Sequence, residues 1–141
     1  TIFMKLTPNV TDIAEIAKAS EAGGADGVSL INNFKAMRID LRTRTTVTAM
    51  KYAGLSGPAI RPIAQRMVNE VFHAVKLPIV GIGGIQSVDD VLEMIMAGAT
   101  AIEIGSANLI DPWTMPRIIS ELQPRMEELG IKNLDEIRGV I

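Results

Sequence analysis

Residues 78–92 read Pro78-Ile-Val-Gly-Ile-Gly-Gly-Ile-Gln-Ser-Val-Asp-Asp-Val-Leu92, and this stretch decides the fold. Ile79 and Val80 suit a strand buried on both faces, as in parallel sheets. Gly81, Gly83 and Gly84 let the backbone take positive φ and come close to a bound group. Ser87 and Asp90 have the spacing of a capping box and predict a helix start. A strand, a glycine turn and a helix start in this order leave backbone N–H groups able to hold a phosphate. A second strand with a glycine end follows at Ala101-Ile-Glu-Ile-Gly-Ser-Ala-Asn108.

The same alternation continues on both sides. Upstream, Ile2–Leu6 is a short apolar strand interrupted by Lys5, and Pro8 ends it. Asn9 or Thr11 is the expected cap of a helix striped by Val10, Ile13, Ala14 and Ala17 and stopped at Gly23-Gly24. Val28–Ile31 is the next strand. Residues 32–58 show no period and read as a long basic loop with Lys35, Arg38, Arg42, Arg44 and Lys51. A loop of that length is functional or mobile, or simply solvated. Ile60, Ile63, Ala64, Met67, Val68, Val71 and Phe72 then mark the clearest amphipathic helix. Val88–Met96 and Met115–Leu129 are further helices, and a short tail helix begins near Asn133. The result is consecutive β-α units, hence a parallel sheet with outer helices. Paired glycine strand ends match the phosphate site of a (β/α) barrel, which needs about 250 residues to close. The expected fold is therefore α/β, the C-terminal half of a TIM (β/α)8 barrel, with residues 1–141 as one partial domain and the N-terminal half absent. The opening residues read as a buried strand, from which a piece of something longer is expected.

Composition narrows the function. Apolar residues make up 48% of the chain and the net charge is −2, so neither disorder nor a polyanionic partner such as nucleic acid is expected. The chain has no cysteine, which excludes disulfides and thiolate metal sites and favours a reducing, cytoplasmic setting. No apolar run is long enough for a membrane span. The one histidine, His73, falls near a helix end, so no histidine cluster can bind a metal.

Few residues carry candidate chemistry. Lys5 sits in an apolar strand, where it either neutralises an anion or a reduced cofactor on an inward face, or reaches solvent along its stem. Asn32 and Asn33 stand just past a strand end, suited to a polar heterocycle or to a turn. Gly81-Ile-Gly83-Gly84-Ile-Gln86 is not a dinucleotide fingerprint, because Gln86 stands where the third glycine belongs. Asp26, Asp40, Asp89, Asp90 and Glu103 have ordinary turn, cap or strand explanations, and no residue reads as a general base.

Taken together, several motifs resemble class 1 dihydroorotate dehydrogenases, nearest to the NAD-linked 1B subclass. They are Lys5-Leu-Thr-Pro-Asn-Val-Thr-Asp-Ile13, Ala22-Gly-Gly-Ala-Asp-Gly-Val28, Ile31-Asn32, Gly54-Leu-Ser-Gly-Pro-Ala-Ile-Arg-Pro62, Gly81-Ile-Gly-Gly-Ile85 and Gly105-Ser-Ala-Asn108. The flavin domain of dihydropyrimidine dehydrogenase shares several of them. The resemblance implies a flavoprotein that binds FMN and oxidises dihydroorotate to orotate in pyrimidine biosynthesis. It implies that Lys5 lies at the pyrimidine edge of the flavin and that Ile31 packs near the ring. Gly57, Gly83, Gly84, Gly105 and Ser106 would hold the FMN tail and phosphate, and Asn32 and Asn33 the substrate. It also implies an N-terminal half-barrel, an FAD and iron–sulfur electron-transfer subunit, and a homo- or hetero-oligomer.

The sequence departs from that pattern in three places. Position 33 is Asn where Thr or Ser is expected. Phe34-Lys-Ala-Met37 replaces a segment expected to hold glycine. The base of this subclass is a cysteine in the N-terminal half, and this chain has none, so no catalytic residue is expected here and the chain alone should be inactive. The rivals are a non-catalytic half-barrel that binds phosphate ligands or self-associates, a different phosphate-ligand barrel, and a dihydropyrimidine dehydrogenase-like flavin domain.

Overall fold

The apolar periods become alternating strands and helices in the computed structural model, which describes residues 1–141. Strand β1 (Phe3–Leu6) leads to helix α1 (Ile13–Ala22) and then β2 (Gly27–Leu30). Four short strands follow: β3 (Phe34–Ala36), β4 (Ile39–Asp40), β5 (Thr45–Thr46) and β6 (Ala53–Leu55). A 3-10 turn at Pro58–Ile60 runs into α2 (Arg61–Phe72). Then come β7 (Ile79–Ile82), α3 (Val88–Met96), β8 (Ala101–Glu103), α4 (Ser106–Ile110) and α5 (Thr114–Glu128).

One parallel sheet has the order β1-β2-β7-β8. The order never reverses. Because β-α-β crossovers are right-handed, an unreversed order puts the connecting helices on one face. That face carries Leu6, Val28, Leu30 and Ile79, none more than 3% exposed. They pack with Ile13 and Ala17 of α1, Ala64, Val68 and Val71 of α2, and Met94 of α3 in one apolar core. Pairing register puts Phe3, Lys5, Ser29, Val80, Ile82, Ala101 and Glu103 on the other face. There Phe3, Lys5, Ala101 and Glu103 are exposed. The architecture is an α/β fold on a four-stranded parallel sheet, as a partial (β/α) barrel requires.

Three local expectations need correction. Helix α1 is capped by Asp12, whose Oδ1 accepts from Ala14 N at 2.8 Å and Glu15 N at 3.2 Å, rather than by Asn9 or Thr11. Asn9 is used elsewhere, across the loop after β2. The stretch after Asn33 is not a plain loop: β3 pairs with β6 and β4 with β5, as two antiparallel ribbons. Strands of two or three residues are too short to show an alternation. The short tail helix expected near Asn133 is present as a 3-10 helix at Leu134–Glu136, capped by the Asn133 side chain. Helix α4 was not expected, because the sequence after Gly105 carries no side-chain cap. The capping box at Ser87 and Asp90 is present with both of its hydrogen bonds. No helix is long and apolar enough to cross a membrane.

Candidate functional site

Strands in a parallel sheet all point one way, so their carboxyl ends share one edge, where α/β proteins bind ligands. A cleft opens at that edge. Lys5 comes to it from β1, Ile31, Asn32 and Asn33 from the end of β2, Gly83 and Gly84 from β7, and Gly105 and Ser106 from β8. The structure thus brings together every residue singled out from the sequence except Gly57, which stands one residue behind the lining residue Ser56. Ile60, Ile82, Ile85 and Glu103 also line the cleft and were not foreseen. No signal within its own strand points to Glu103, whose place appears only in the pairing that sets it on the same face as Ile82.

The glycine turns form a cradle of free donors. The backbone N–H groups of Gly83, Gly84, Gly105 and Ser106 donate to no acceptor within the chain. Gly83 and Gly84 take φ of 137° and 74°, a region that disfavours other residues. A Cβ on Gly84 would fall 2.9 Å from both the Gly57 carbonyl oxygen and the Arg61 nitrogen. The turn after β7 therefore rests on the start of α2. Around Gly105 a Cβ would meet nothing within 4 Å, so space is open there.

The rim of the cradle is tied by charge. The Arg61 guanidinium bonds Asp90 Oδ1 and comes within 3.7 Å of Glu93 through Nε. Asp90 Oδ2 accepts from Gln86 N at 2.8 Å and Ser87 N at 3.0 Å. Asp90 is buried, and a buried carboxylate needs such partners. This network fixes the start of α3 against the start of α2.

On the opposite wall, Lys5 Nζ lies 4.0 Å from Glu103 Oε2. Their strands are the two edges of the sheet, about 14 Å apart if it were flat. The meeting of their side chains over the uncovered face agrees with a sheet that curls toward the cleft. Asn32 Oδ1 accepts from Asn33 N at 2.9 Å, which leaves the Asn32 amide NH2 without an acceptor in the chain. Asn9 holds this loop, donating through Nδ2 to Asn33 O at 3.1 Å and accepting through Oδ1 from Lys35 N at 2.9 Å.

No group of three His, Cys, Asp or Glu is arranged to hold a metal ion. Two titrating groups are clearly shifted, and both lie away from the cleft. Asp111 is held below its ordinary carboxylate value by the Arg117 side chain and the Trp113 N–H, and Arg125 is raised by Asp89 and Glu128. The cleft thus offers free amides for an anion together with a lysine, a carboxylate and an amide for a polar ring.

The chain matches the family model for dihydroorotate dehydrogenase over residues 1–126. It is 56% identical over 136 residues to the catalytic subunit of dihydroorotate dehydrogenase B (NAD(+)) of Enterococcus faecalis, covering 96% of this chain and 44% of that protein. The subunit of the same name from Halalkalibacterium halodurans is 54% identical over 98% of this chain and 45% of its own length. That of Listeria monocytogenes is 52% identical over 97% of this chain and 45% of its own. The chain thus spans somewhat less than half the length of the curated relatives it matches.

Proposed function

The chain belongs to the dihydroorotate dehydrogenase family, and from that premise we propose that it is the FMN-binding half-barrel of an enzyme oxidising dihydroorotate to orotate in pyrimidine biosynthesis. One observation carries this reading. Four unpaired backbone N–H groups, on Gly83, Gly84, Gly105 and Ser106, lie at two neighbouring strand ends and line one cleft with Lys5 and Asn32. Such donors suit the phosphate of FMN, as charge-assisted hydrogen bonds do in general. The open space at Gly105 leaves room for it.

FMN, when bound, supplies the hydride acceptor for the oxidation. This chain's own residues bind and orient. Lys5 puts an ammonium beside the pyrimidine edge of the ring, where negative charge grows on reduction. Ile31, which lines the cleft, would pack near the ring. The free Asn32 NH2 donates to the substrate, with Asn33 beside it. The proton from C5 of dihydroorotate goes to a base in the part of the relatives that this chain does not span. We assign the electron exit to a separate subunit with FAD and an iron–sulfur centre, in keeping with relatives named as catalytic subunits.

The test is a titration of the purified chain with FMN and with riboflavin, read by flavin fluorescence. FMN should bind roughly tenfold to a hundredfold tighter, about 1.4–2.8 kcal/mol for the phosphate contacts. Equal affinities would sink the cradle assignment. The uncovered sheet face favours a second reading, a half-barrel that self-associates. Sedimentation would support it by showing a dimer that neither flavin perturbs.

A further inference from the structure

Glu103 has no structural duty that accounts for it. It is the last residue of β8, paired in register with Ile82, and its side chain is 56% exposed. Its carboxylate caps no helix and accepts no hydrogen bond from the chain. Its one partner is the Lys5 ammonium at 4.0 Å. Lys5 and Glu103 are also the only charged residues lining the cleft. Without Glu103 the cleft would carry one uncompensated positive charge. With it, the lining is neutral, and a donor and an acceptor stand side by side.

We propose that Glu103 is a specificity-determining and potential-tuning residue of this cleft. Together with Lys5 it reads the –CO–NH– edge of a bound pyrimidine-type ring, Lys5 donating to the carbonyl and Glu103 accepting from the adjacent N–H. The inference rests on the flavin reading above and deepens it. A ring that presents only acceptors meets repulsion from the carboxylate, whereas a cyclic imide or ureide satisfies both groups. Glu103 also opposes Lys5 electrostatically. Lys5 favours negative charge on the reduced ring, and a carboxylate this near disfavours it. The pair therefore sets the reduction potential of the bound ring lower than Lys5 alone would set it.

The experiment compares the wild-type protein with Glu103→Gln and Glu103→Asp, each loaded with FMN. The readout is the midpoint potential from dye-coupled spectroscopic titration. Glu103→Gln should favour the reduced over the oxidised ring by roughly tenfold, an upward shift of about 30 mV for a two-electron couple. Glu103→Asp keeps the charge and should stay near wild type. If Gln and wild type share one potential, Glu103 does not act on the ring and the inference falls while the flavin reading stands. If Asp and Gln shift alike, side-chain length rather than charge is responsible, which also overturns it. Failure of wild type to bind either flavin overturns the flavin reading, and the role of Glu103 goes with it, whereas equal binding of riboflavin overturns only the phosphate assignment. The preceding binding titration shows that result separately.

Discussion

The two faces of the parallel sheet are built from the same four strands yet follow different rules. On one, Leu6, Val28, Leu30 and Ile79 are almost fully removed from water and touch α1, α2 and α3. On the other, Lys5, Ala101 and Glu103 stay exposed, and only Ser29 and Gly27 are buried. Apolar burial on the first face supplies the stability. The second face carries a lysine and a carboxylate, and its strands run out into two glycine turns. The difference teaches that alternation along one strand can divide labour between holding the fold and meeting a ligand.

The largest effect should come from attacking the packed face. Leu30 is 0% exposed, so Leu30→Ala should cost about 2–5 kcal/mol, through lost transfer energy and the cavity left behind. Ile82 lies on the open face and is only partly buried. Ile82→Ala should cost under about 1.5 kcal/mol, since less surface leaves water and no closed cavity forms. Urea denaturation of both variants measures this contrast. Similar losses would mean that the second face is covered in solution.

The glycine cradle sharpens the contrast within a single site. Gly84→Ala forces a Cβ against the Gly57 oxygen and the Arg61 nitrogen at a φ of 74°. It should cost about 1–3 kcal/mol of stability and weaken FMN binding as well. Gly105→Ala meets nothing within 4 Å and should leave stability within about 0.5 kcal/mol of wild type. Its methyl group nevertheless enters the space assigned to the phosphate. FMN affinity should fall roughly tenfold, about 1.4 kcal/mol, with riboflavin binding unchanged. Parallel unfolding and flavin titrations separate the two. Loss of both ligands alike in Gly105→Ala would place the phosphate elsewhere.

How far the sequence reveals this arrangement depends on the length over which a pattern runs. The stripe from Ile60 to Phe72 spans several turns and cannot be mistaken for a strand, and α2 lies there. Ser87 and Asp90 announce α3 because their box is a local device that needs no tertiary partner. The ribbons of residues 34–55 stay hidden because each strand has two or three residues, and β3 pairs with β6 across the intervening β4–β5 hairpin. The cap pattern points to Asn9 or Thr11, but the helix begins at Ile13 and Asp12 stands next to its first turn, while Asn9 is engaged with Asn33 and Lys35. In the cleft, the glycine turns are legible from their own spacing. Lys5 and Asn32 stand out chiefly through family resemblance. Glu103 escapes notice because its importance comes from facing Lys5 across the sheet, a relation that no local window contains.

The smallest effect belongs to a contact on neither face, and it sets a scale for the others. Asp111 lies between α4 and α5, accepting from Arg117 Nη1 at 2.7 Å and from Trp113 N at 3.0 Å. These two donors hold its carboxyl below the ordinary value of 3.8. A lowered folded-state pKa gives stability that is present above the unfolded value and lost as pH falls through the folded one. The pair is exposed, so its contribution at pH 7 should be smaller than that of Ile82. Asp111→Asn should therefore lower the urea midpoint slightly at neutral pH. The two proteins should converge once the pH is well below 3.8, where the wild-type carboxylate is protonated as well. A gap that persists unchanged in acid would show that the side chain acts through packing or a neutral hydrogen bond rather than charge. A gap at pH 7 larger than that of Ile82→Ala would mean that the junction beyond β8 carries more of the fold than the open face itself.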